Sequence, residues 1–523
     1  MKSFLQRHAS SIEGVLSGFD RLRFRGTVRI LACVSGMRAF LSQMHVLLKD
    51  FPGFAEEATK KVCTAVENVA DQAGRPVQYL ASPKASKEEI VDRIVREEGP
   101  GKGGVIAVFS CVELCQSYIV YRNRELRELE LRCVPRKCLH HYVYLQDPMF
   151  GRISVRMQSW FPFNVHICMN GREWLSRQMD VAGIDYLRKD NCFVRVHDFP
   201  SAQKMLQRQV HIDWIKHLDR LLKRANPVLT RLFTDFPPDY YWSAEQTEWA
   251  TDVVFRQAAD LAVLYPQLID HGIRLFGSQD VMRFLGRKVP ATGSCHGNFL
   301  GEVVSDLCRR PEGLRIKHRV NRNALKMYDK QGSVLRVETT INDARDLKSY
   351  RTKEGDPKGK KSWRRLRKGV SDLPRRVQLS QAANGRYLEA LAAVESETSL
   401  KTLAEKVCQP AMHNQRRVRA LNPLSADDAR LMQAVQRGEF KITGFRNRDL
   451  RPLLFGGESL DAAQRQKQSG QVSRKLVLLQ GHGLIRKIPK THRYLPTKLG
   501  TQTIAAFLAA GNASVEKLTA SAA

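Results

Sequence analysis

The sequence predicts a multidomain protein that combines α/β and α+β parts. We expect an N-terminal α/β part, a central antiparallel sheet with helices, and a C-terminal helical part that includes a β-hairpin. The chain has 523 residues, too many for one ordinary domain. Its hydrophobic period changes from helical to alternating near residue 139 and is helical again near residue 425. The expected divisions are an α/β domain at 1–135, a central α+β domain at 136–344 that is the candidate catalytic region, a basic linker or loop at 345–376, a helical connector at 377–424 and a C-terminal domain at 425–523.

The N-terminal part alternates helices with strands. Apolar residues recur at helical spacing over 54–73, and Ser86-Lys87-Glu88-Glu89 is a capping box that opens a helix reaching residue 98. Residues 77–80 predict a short strand. The apolar run over 104–110 is typical of a strand buried on both faces. This order of elements indicates an α/β domain.

In the central part, polar and apolar residues alternate with a period of two. Residues 139–169 alternate polar and apolar side chains and are interrupted by Asp147-Pro148 and Phe161-Pro162, which predicts an antiparallel meander. Helical patterns follow at 173–182, 202–225 and 243–262, the last with a capping box at its start. Residues 314–341 predict two or three further strands, with Gln331-Gly332 as a hairpin turn.

The charge of the chain points to a polyanionic partner. Lysine and arginine number 85 against 53 acids, a net charge of +32, and such an excess repels itself unless a polyanion is bound. DNA and RNA are the first candidates, and an anionic membrane surface is the alternative. The segment 345–376 holds thirteen basic residues against four acidic ones, so we expect a linker or a loop that contacts nucleic acid.

The cysteines and the hydropathy predict a cytoplasmic protein. Eleven cysteines are scattered along the chain without a CxxC pair, which favours reduced thiols over disulfides or zinc. The N-terminus has no apolar signal segment, and no stretch of 18 residues is apolar and uncharged.

The C-terminal part has a specific order of elements. Helical patterns begin at Ser425, near Ile442 and at Ser469, and Gly481-His482-Gly483 ends the third. Two short strands flank a basic turn, and a last helix follows Lys498. This pattern resembles the winged helix-turn-helix of MarR-like proteins, over about one sixth of the chain. The Asp-Arg pair that this family carries in the wing is missing, and Lys490, His492 and Arg493 stand in its place. The resemblance therefore implies the fold and a DNA contact rather than ligand sensing.

The winged-helix resemblance implies which side chains meet DNA. The third helix would enter the major groove, and the turn between the two strands would contact the neighbouring backbone or the minor groove. The alternative is a winged helix that binds protein. The expected DNA-binding residues are Ser473, Arg474 and Lys475 on the helix and Lys490, His492 and Arg493 on the wing.

A short element of the central part suggests covalent chemistry. The run Tyr328-Asp329-Lys330, followed after a turn by Arg336 and Glu338, resembles a motif of plasmid and phage rolling-circle replication initiators. The resemblance implies that Tyr328 attacks a DNA phosphate, that Lys330 stabilises the charge that develops on it, and that Glu338 holds a metal ion. The family's His-hydrophobe-His motif is missing. The alternative is a β-hairpin with an amphipathic edge tyrosine.

Pairs of acids suggest a site for Mg²⁺ or Mn²⁺. Glu248 and Asp252 are four residues apart, as are Glu302 and Asp306, so on helices each pair would share one face. Carboxylates that converge on a divalent cation are what phosphodiester chemistry requires. The alternative is pairing with arginine, which is abundant in this chain.

Two further candidates come from the predicted strands. Asp20 lies in the first strand, and this resembles RNase H-like nucleases, whose first strand carries a catalytic aspartate; a salt bridge to a neighbouring arginine is the alternative. His141 and His166 lie on neighbouring strands. If adjacent, they would share a metal ion or act as a base, and otherwise they are core histidines.

These observations favour a DNA-processing protein of a mobile genetic element, transposase-like or replication-initiator-like, that recognises double-stranded DNA and cuts or joins it. The alternatives are a non-enzymatic winged-helix transcriptional regulator and an RNA-binding protein. We expect no membrane partner, and an oligomer is compatible with all three. Over its whole length the sequence resembles bacterial proteins of similar size, which implies no particular activity.

Overall fold

The computed structural model gives the fold of most of the chain. The described residues are 1–287, 302–310, 313–353, 355–356, 358–392, 400–437, 440, 444–457, 461–489 and 491–513. The strands are β1 (Ile12–Val28), β2 (Val77–Leu80), β3 (Val105–Asn123), β4 (Glu128–Asp147), β5 (Gly151–Gln158), β6 (Val165–Asn170), β7 (Tyr186–Lys189), β8 (Cys192–Val196), β9 (Tyr240–Phe255), β10 (Val303–Arg310), β11 (Gly313–Val320), β12 (Asn323–Lys330), β13 (Val334–Ile341), β14 (Lys348–Arg351), β15 (Ser362–Arg365), β16 (Ala411–His413), β17 (Arg416–Val418), β18 (Ile485–Lys487) and β19 (Tyr494–Pro496). The helices are α1 (Lys2–Arg7), α2 (Val34–Gln43), α3 (Phe51–Ala73), α4 (Lys87–Glu97), α5 (Gly171–Ala182), α6 (Phe199–Gln209), α7 (Trp214–Ala225), α8 (Ala258–Arg274), α9 (Ser278–Phe284), α10 (Leu373–Leu391), α11 (Leu400–Val407), α12 (Ala426–Val435), α13 (Asn447–Phe455), α14 (Ala462–Gly481) and α15 (Lys498–Asn512).

A sheet of eleven strands organises the first two thirds of the chain. Among the described strands its order is β10-β11-β12-β13-β9-β1-β6-β5-β4-β3-β2, and of these pairs only β2–β3 is parallel. The expected domain boundary after residue 135 falls inside β4, which pairs with β3 on both sides of that position. The mixed α and β content agrees with the predicted class, and one sheet extends across both expected domains.

The sheet consists of two halves with the same plan. Each half begins with a long strand, β1 or β9, passes through helices, and returns by an antiparallel meander. The last strand of each meander, β6 or β13, pairs with the long strand that began its half. β1 and β9 pair with each other in antiparallel fashion at the centre of the sheet. Asp20 and Glu248 are each the ninth residue of their strand, and the register between β1 and β9 places them close together.

Helices cover the two faces of the sheet unequally. Side chains alternate between the faces along each strand, and the apolar ones on one face pack under α3, α7, α8 and α10. The other face carries many polar side chains and is covered in part by α4, α5 and α6. α6 lies so close to β1 that a Cβ on Gly18 would be 2.6 Å from Leu206. Arg23 and neighbouring parts of this polar face stay exposed.

The sequence expectations for the central part require two corrections. Residues 243–262 were expected to form one helix, but they form the end of β9 and the start of α8. Glu248 and Asp252 are buried among charged partners, so the sequence does not show an alternation of polar and apolar residues. Thr247, Thr251 and Val253 on the opposite face are β-branched residues that favour a strand. The expected helix at 202–225 is divided into α6 and α7, and Asp213 caps the second.

Other expectations for this region are confirmed. The meander over 139–169 is present as β4, β5 and β6, and the strands over 314–341 are β11, β12 and β13. Gln331 and Gly332 both have positive φ angles, 61° and 76°, as a tight hairpin turn requires. The basic segment 345–376 is more ordered than a linker, since it contains the β14–β15 hairpin and the first turn of α10.

The C-terminal part has its own apolar core. α12, α13 and α14 pack together, and the hairpin β18–β19 and α15 follow. Phe445 forms an additional bridge to Tyr494 of the hairpin. α14 is longer than the expected helix from Ser469 and is capped by Asp461. Among the described residues, no helix has the length and apolar character needed to cross a membrane.

Candidate metal centre

Three buried carboxylates meet on the polar face of the sheet. Asp20 lies on β1, Glu248 on β9 and Glu338 on β13, which are neighbouring strands. One oxygen from each carboxylate lies within 4.8 Å of the other two. Because three carboxylates repel one another, this arrangement requires cations beside it.

A bulge in β1 brings Asp20 to the group. Phe19 pairs with Trp249 and Leu22 pairs with Thr247, so Asp20 and Arg21 together lie opposite the single residue Glu248. A bulge of this kind changes the direction of a side chain and is common beside functional sites.

Lys326 of β12 links the two glutamates. Its Nζ lies 2.6 Å from Oε1 of Glu338 and 3.2 Å from Oε1 of Glu248. The hydroxyl of Tyr328 donates to Oε2 of Glu338 over 2.9 Å, and Thr340 donates to Oε1 of Glu338 over 3.3 Å. Glu338 is therefore the most extensively hydrogen-bonded acid of the three.

Arg336 of β13 neutralises the opposite side of the cluster. Its guanidinium makes a bidentate pair with Asp252 at 2.6 and 2.9 Å, and its Nη1 lies 2.9 Å from Oδ1 of Asp20. Arg172 of α5 also lies 2.9 Å from Oδ2 of Asp252. The turn between β7 and β8 completes this side, because Asn191 donates to Oδ1 of Asp20 at 2.6 Å and its carbonyl accepts from Arg336.

The acids of the cluster differ in how readily they ionise. Burial raises the pKa of Asp20 and of Glu248, and the negative charge of Glu338 adds to both shifts. Burial alone would also raise the pKa of Glu338, but the ammonium group of Lys326 holds it below its ordinary value. The pKa of Asp252 is lowered in spite of burial, because Arg172 and Arg336 stabilise its charge.

The three carboxylates fit a hard divalent cation. Mg²⁺ binds oxygen ligands at about 2.0–2.1 Å, which places ligand oxygens about 3–4 Å apart. Separations of up to 4.8 Å come within this range after small rotations of the side chains. A cation here would also offset the burial and the negative charge of Glu338, which together raise the pKa of Asp20 and of Glu248. Asp20, Glu248 and Glu338 are thus the residues that could hold Mg²⁺ or Mn²⁺.

A polar cavity of about 480 Å³ opens beside the cluster. Glu248 lines this cavity, as do Lys326 and Thr340, which contact the carboxylates of the cluster. The same wall contains the basic side chains of Arg23, Lys317, Arg319 and Arg322. An anionic group in the cavity would therefore lie close to these cations and beside the acidic site.

Some of the residues expected at the site belong to it. Tyr328, Glu338 and Glu248 converge, and Asp20 joins them. Asp252 lies beside them, but its two oxygens are held by arginines. Lys330 is buried on the same strand as Tyr328, and its ammonium lies 3.0 Å from Asp190.

The second predicted acid pair is not at the centre. Glu302 is exposed just before β10, and Asp306 lies on β10, the edge strand, opposite Lys317. The prediction that Glu302 and Asp306 share a helix face is therefore wrong, as it is for Glu248 and Asp252, which lie on a strand. The edge strand is separated from Glu338 by β11 and β12.

The two histidines do not form a pair. His141 is buried and its ring lies 3.4 Å from the thiol of Cys63, whereas His166 lies 3.6 Å from Glu245. The strand registers pair His141 with Met157 and His166 with Arg156, so the two rings point to opposite faces of the sheet. Burial lowers the pKa of His141 to about 4, as for a neutral core histidine.

The expected DNA-binding residues of the C-terminal part differ in exposure. Arg474 on α14 and His492 beyond β18 are exposed. Ser473 accepts a hydrogen bond from Asn447, Lys475 forms an ion pair with Asp427, and Arg493 donates to the carbonyl of Gly444. Lys490 lies outside the described residues.

Comparisons with known proteins add little to this geometry. No protein-family model and no curated protein sequence matches the chain. Among solved structures, the chain is similar to the di-domain ARO/CYC BexL from the BE-7585A biosynthetic pathway, at 11% identity, with 60% of this chain and 95% of that one covered. The TM-score of 0.16 is too low to support any inference about fold or activity.

Proposed function

We propose that this protein cuts or joins DNA by metal-dependent phosphodiester chemistry at the centre formed by Asp20, Glu248 and Glu338. The observation that carries the proposal is the convergence of three buried carboxylates beside a cavity with basic walls. Carboxylates that hold a divalent cation next to cations that bind phosphate are the combination that phosphodiester cleavage uses. We place the protein among DNA-processing proteins of mobile elements, transposase-like or replication-initiator-like.

The residues of the chain would have separate roles. Asp20, Glu248 and Glu338 would hold Mg²⁺ or Mn²⁺, which when bound polarises a phosphate and lowers the pKa of a bound nucleophile. Lys326 keeps Glu338 ionised and lines the cavity where the phosphate would bind. Arg336 and Asp252 fix the position of Asp20 from the other side.

Tyr328 is a candidate nucleophile within this proposal. Its hydroxyl already donates to Glu338, which would accept the phenolic proton as the oxygen attacks phosphorus. The new bond joins the tyrosine oxygen to the phosphate, and the bond to the 3′-oxygen of the preceding nucleotide breaks. That oxygen takes a proton from water and leaves as a hydroxyl. Burial and the charge of Glu338 raise the pKa of Tyr328 well above its ordinary value, so this attack requires the base. Otherwise water is the nucleophile.

The C-terminal part would supply DNA recognition as a winged helix. The order α12, α13, α14, β18–β19 and α15 supports that assignment, as does the bridge from Phe445 to Tyr494. Arg474 is exposed on α14, the helix that would enter the major groove.

A non-enzymatic regulator is the second candidate. Lys326 and Arg336 already neutralise much of the acidic cluster, and a buried charge network of this kind also occurs as a purely structural feature. In that case the winged helix would bind an operator and the centre would bind no metal.

Incubation with supercoiled plasmid separates the two candidates. We expect the full chain to nick the plasmid with Mg²⁺ or Mn²⁺ and to lose this activity when the metal is chelated. Glu338→Gln should abolish nicking because it removes a metal-binding charge at nearly constant shape. Glu302→Gln is the matched control, since Glu302 is an exposed acid outside the cluster. Clean binding of DNA or RNA without any nicking by the unmodified chain would contradict the enzymatic proposal.

A further inference from the structure

The β14–β15 hairpin carries an exposed pair of aromatic residues. Tyr350 and Trp363 lie directly opposite each other in the strand register, and their ring centroids are 5.6 Å apart. Their exposed fractions are 58% and 55%. Large aromatic side chains that stay this exposed contribute little to a core, and an adjacent exposed pair indicates a binding surface.

Two cations lie on the same face of the hairpin as the aromatic pair. Lys348 and Arg365 are also opposite each other, two positions from Tyr350 and Trp363, and both are exposed. Because side chains alternate along a strand, these four residues share the outward face. We call this set, Lys348, Tyr350, Trp363 and Arg365, the aromatic platform.

The opposite face of the hairpin attaches it to the protein. Arg351 is buried, donates to the carbonyl of Arg365 and lies 3.7 Å from the buried carboxylate of Asp372. At the base of the hairpin, Leu347 and Leu366 pack in a small apolar cluster. The aromatic platform therefore has a fixed outward direction.

The chain on either side of the hairpin adjoins the cavity of the candidate metal centre. The amide of Ala244 donates to the carbonyl of Lys368 at 2.8 Å, directly before Glu245, which lines the cavity. On the other side, Asn342 lines the cavity shortly before the chain enters β14. The aromatic platform is therefore connected to the surroundings of the cavity by short segments of chain on both sides.

We infer that the aromatic platform binds single-stranded nucleic acid, with unpaired bases stacked on Tyr350 and Trp363 and phosphates beside Lys348 and Arg365. Residues 348–365 contain eight basic residues against two acidic ones, which suits a polyanion. The flat rings suit bases that are not already stacked in a duplex. This inference rests on the proposed function for the identity of the polymer. It deepens that function by naming single-stranded nucleic acid as the form that binds near the metal centre.

Fluorescence anisotropy with the full chain tests the inference. The probes are a labelled oligothymidine of about 20 nucleotides, long enough to cover the site sizes of known single-strand binders, and a duplex of the same length. For the double variant Tyr350→Ala/Trp363→Ala we expect affinity for the single strand to fall by at least about 5- to 150-fold, the loss that one stacked base produces, with a much smaller change for the duplex. Tyr350→Phe/Trp363→Phe keeps the ring faces and should retain most of the affinity.

Two further variants separate stacking from charge and from general damage. Tyr79→Ala is the matched control, because Tyr79 is 60% exposed on β2, and it should leave both affinities unchanged. Lys348→Gln/Arg365→Gln should weaken single-strand binding and reduce its salt dependence by about 0.7 per lost phosphate contact.

The outcomes distinguish this inference from the proposed function. Equal losses for single strand and duplex, or no loss with the alanine pair, would overturn the aromatic platform as a single-strand site, even if Glu338→Gln still abolishes nicking. Conversely, a selective loss of single-strand binding in a protein that never nicks DNA would support the platform and refute the nuclease. Binding to anionic lipid vesicles but not to the oligonucleotide would also overturn the inference.

Discussion

The hydroxyl of Tyr328 donates a hydrogen bond of 2.9 Å to Glu338 on the neighbouring strand. This contact joins the candidate nucleophile to the group that would take its proton. Tyr328→Phe removes the hydroxyl but keeps the ring, so we expect the fold and DNA affinity to be retained. If Tyr328 is the nucleophile, the covalent DNA–protein adduct formed by the unmodified chain should vanish together with cleavage.

The opposite outcome identifies water as the nucleophile. In that case Tyr328→Phe still cleaves, no adduct forms with either protein, and cleavage still requires the metal. Denaturing gel electrophoresis with end-labelled DNA detects the adduct. Tyr79→Phe is a suitable control because it removes the phenolic hydroxyl of an exposed tyrosine on β2, outside both the metal centre and the aromatic platform.

Direct metal binding is a second prediction. We expect the full chain to bind Mn²⁺, and we expect Asp20→Asn and Glu338→Gln each to weaken this binding by at least about 10-fold, the change that loss of even an outer-shell partner produces. Asp306→Asn should have no effect, because Asp306 lies on the edge strand. Calorimetric titration measures the affinities. Equal Mn²⁺ affinity in all four proteins would contradict the assignment of the centre.

The shifted acids predict how metal binding depends on pH. The pKa of Asp20 and that of Glu248 are raised, so both carboxyl groups keep their protons to a higher pH than usual. A proton on either group competes with the cation, so Mn²⁺ affinity should rise with pH through the acidic range and then level off. Titrations from about pH 4 to about pH 8 measure this dependence.

The same shifts predict a change in stability. A carboxyl group whose pKa is higher in the folded than in the unfolded state opposes folding once it ionises. Without metal, the contribution of Asp20 and Glu248 to stability should therefore decrease as pH rises above their ordinary pKa values of 3.8 and 4.5. Mn²⁺ should raise the melting temperature more at neutral than at acidic pH. An Mn²⁺ effect that is independent of pH would contradict this linkage.

Much of the sheet was predictable because its strands alternate in the sequence, as β4 to β6 and β11 to β13 do. The candidate site was predictable only in part. The spacing of four between Glu248 and Asp252 predicts a shared helix face. The two acids lie on a strand and still share a face, because residues an even number apart on a strand point the same way. That Glu248 meets Asp20 depends on β1 pairing with β9, a contact between distant parts of the chain. No local pattern encodes such a pairing.

The roles of the cations were harder to predict. Lys330 was expected at the site because it follows Tyr328 in the resembled motif, whereas the structure brings Lys326 to the glutamates. Both lysines lie on the same face of β12, and only the register with β13 decides which of them lies opposite Glu338. Arg336 is a further example, since its two aspartates come from β1 and β9.

Arg336 is predicted to be essential for stability. Its side chain is 1% exposed and neutralises Asp252 and Asp20 at once. Arg336→Gln removes the positive charge that these two buried carboxylates share. We therefore expect the free energy of unfolding to fall by about 3–5 kcal/mol. Urea denaturation monitored by tryptophan fluorescence measures the change. The control is Arg309→Gln, because Arg309 is an exposed arginine on β10, and it should change the free energy of unfolding by less than about 0.5 kcal/mol. Similar changes in both variants would refute the prediction.

DNA recognition by the C-terminal part gives the last prediction. Arg474 is exposed on α14, next to Ser473 and Lys475, whose side chains already have partners within the chain. If α14 enters the major groove, Arg474→Ala should cost about 1–3 kcal/mol of binding free energy for the preferred duplex and reduce the preference over other sequences. Arg430→Ala on α12 removes the same exposed charge from another helix and should weaken all duplexes slightly and alike. Gel-shift titrations at fixed salt compare the two variants. If Arg474→Ala retains both affinity and sequence preference, α14 is not the helix that recognises DNA.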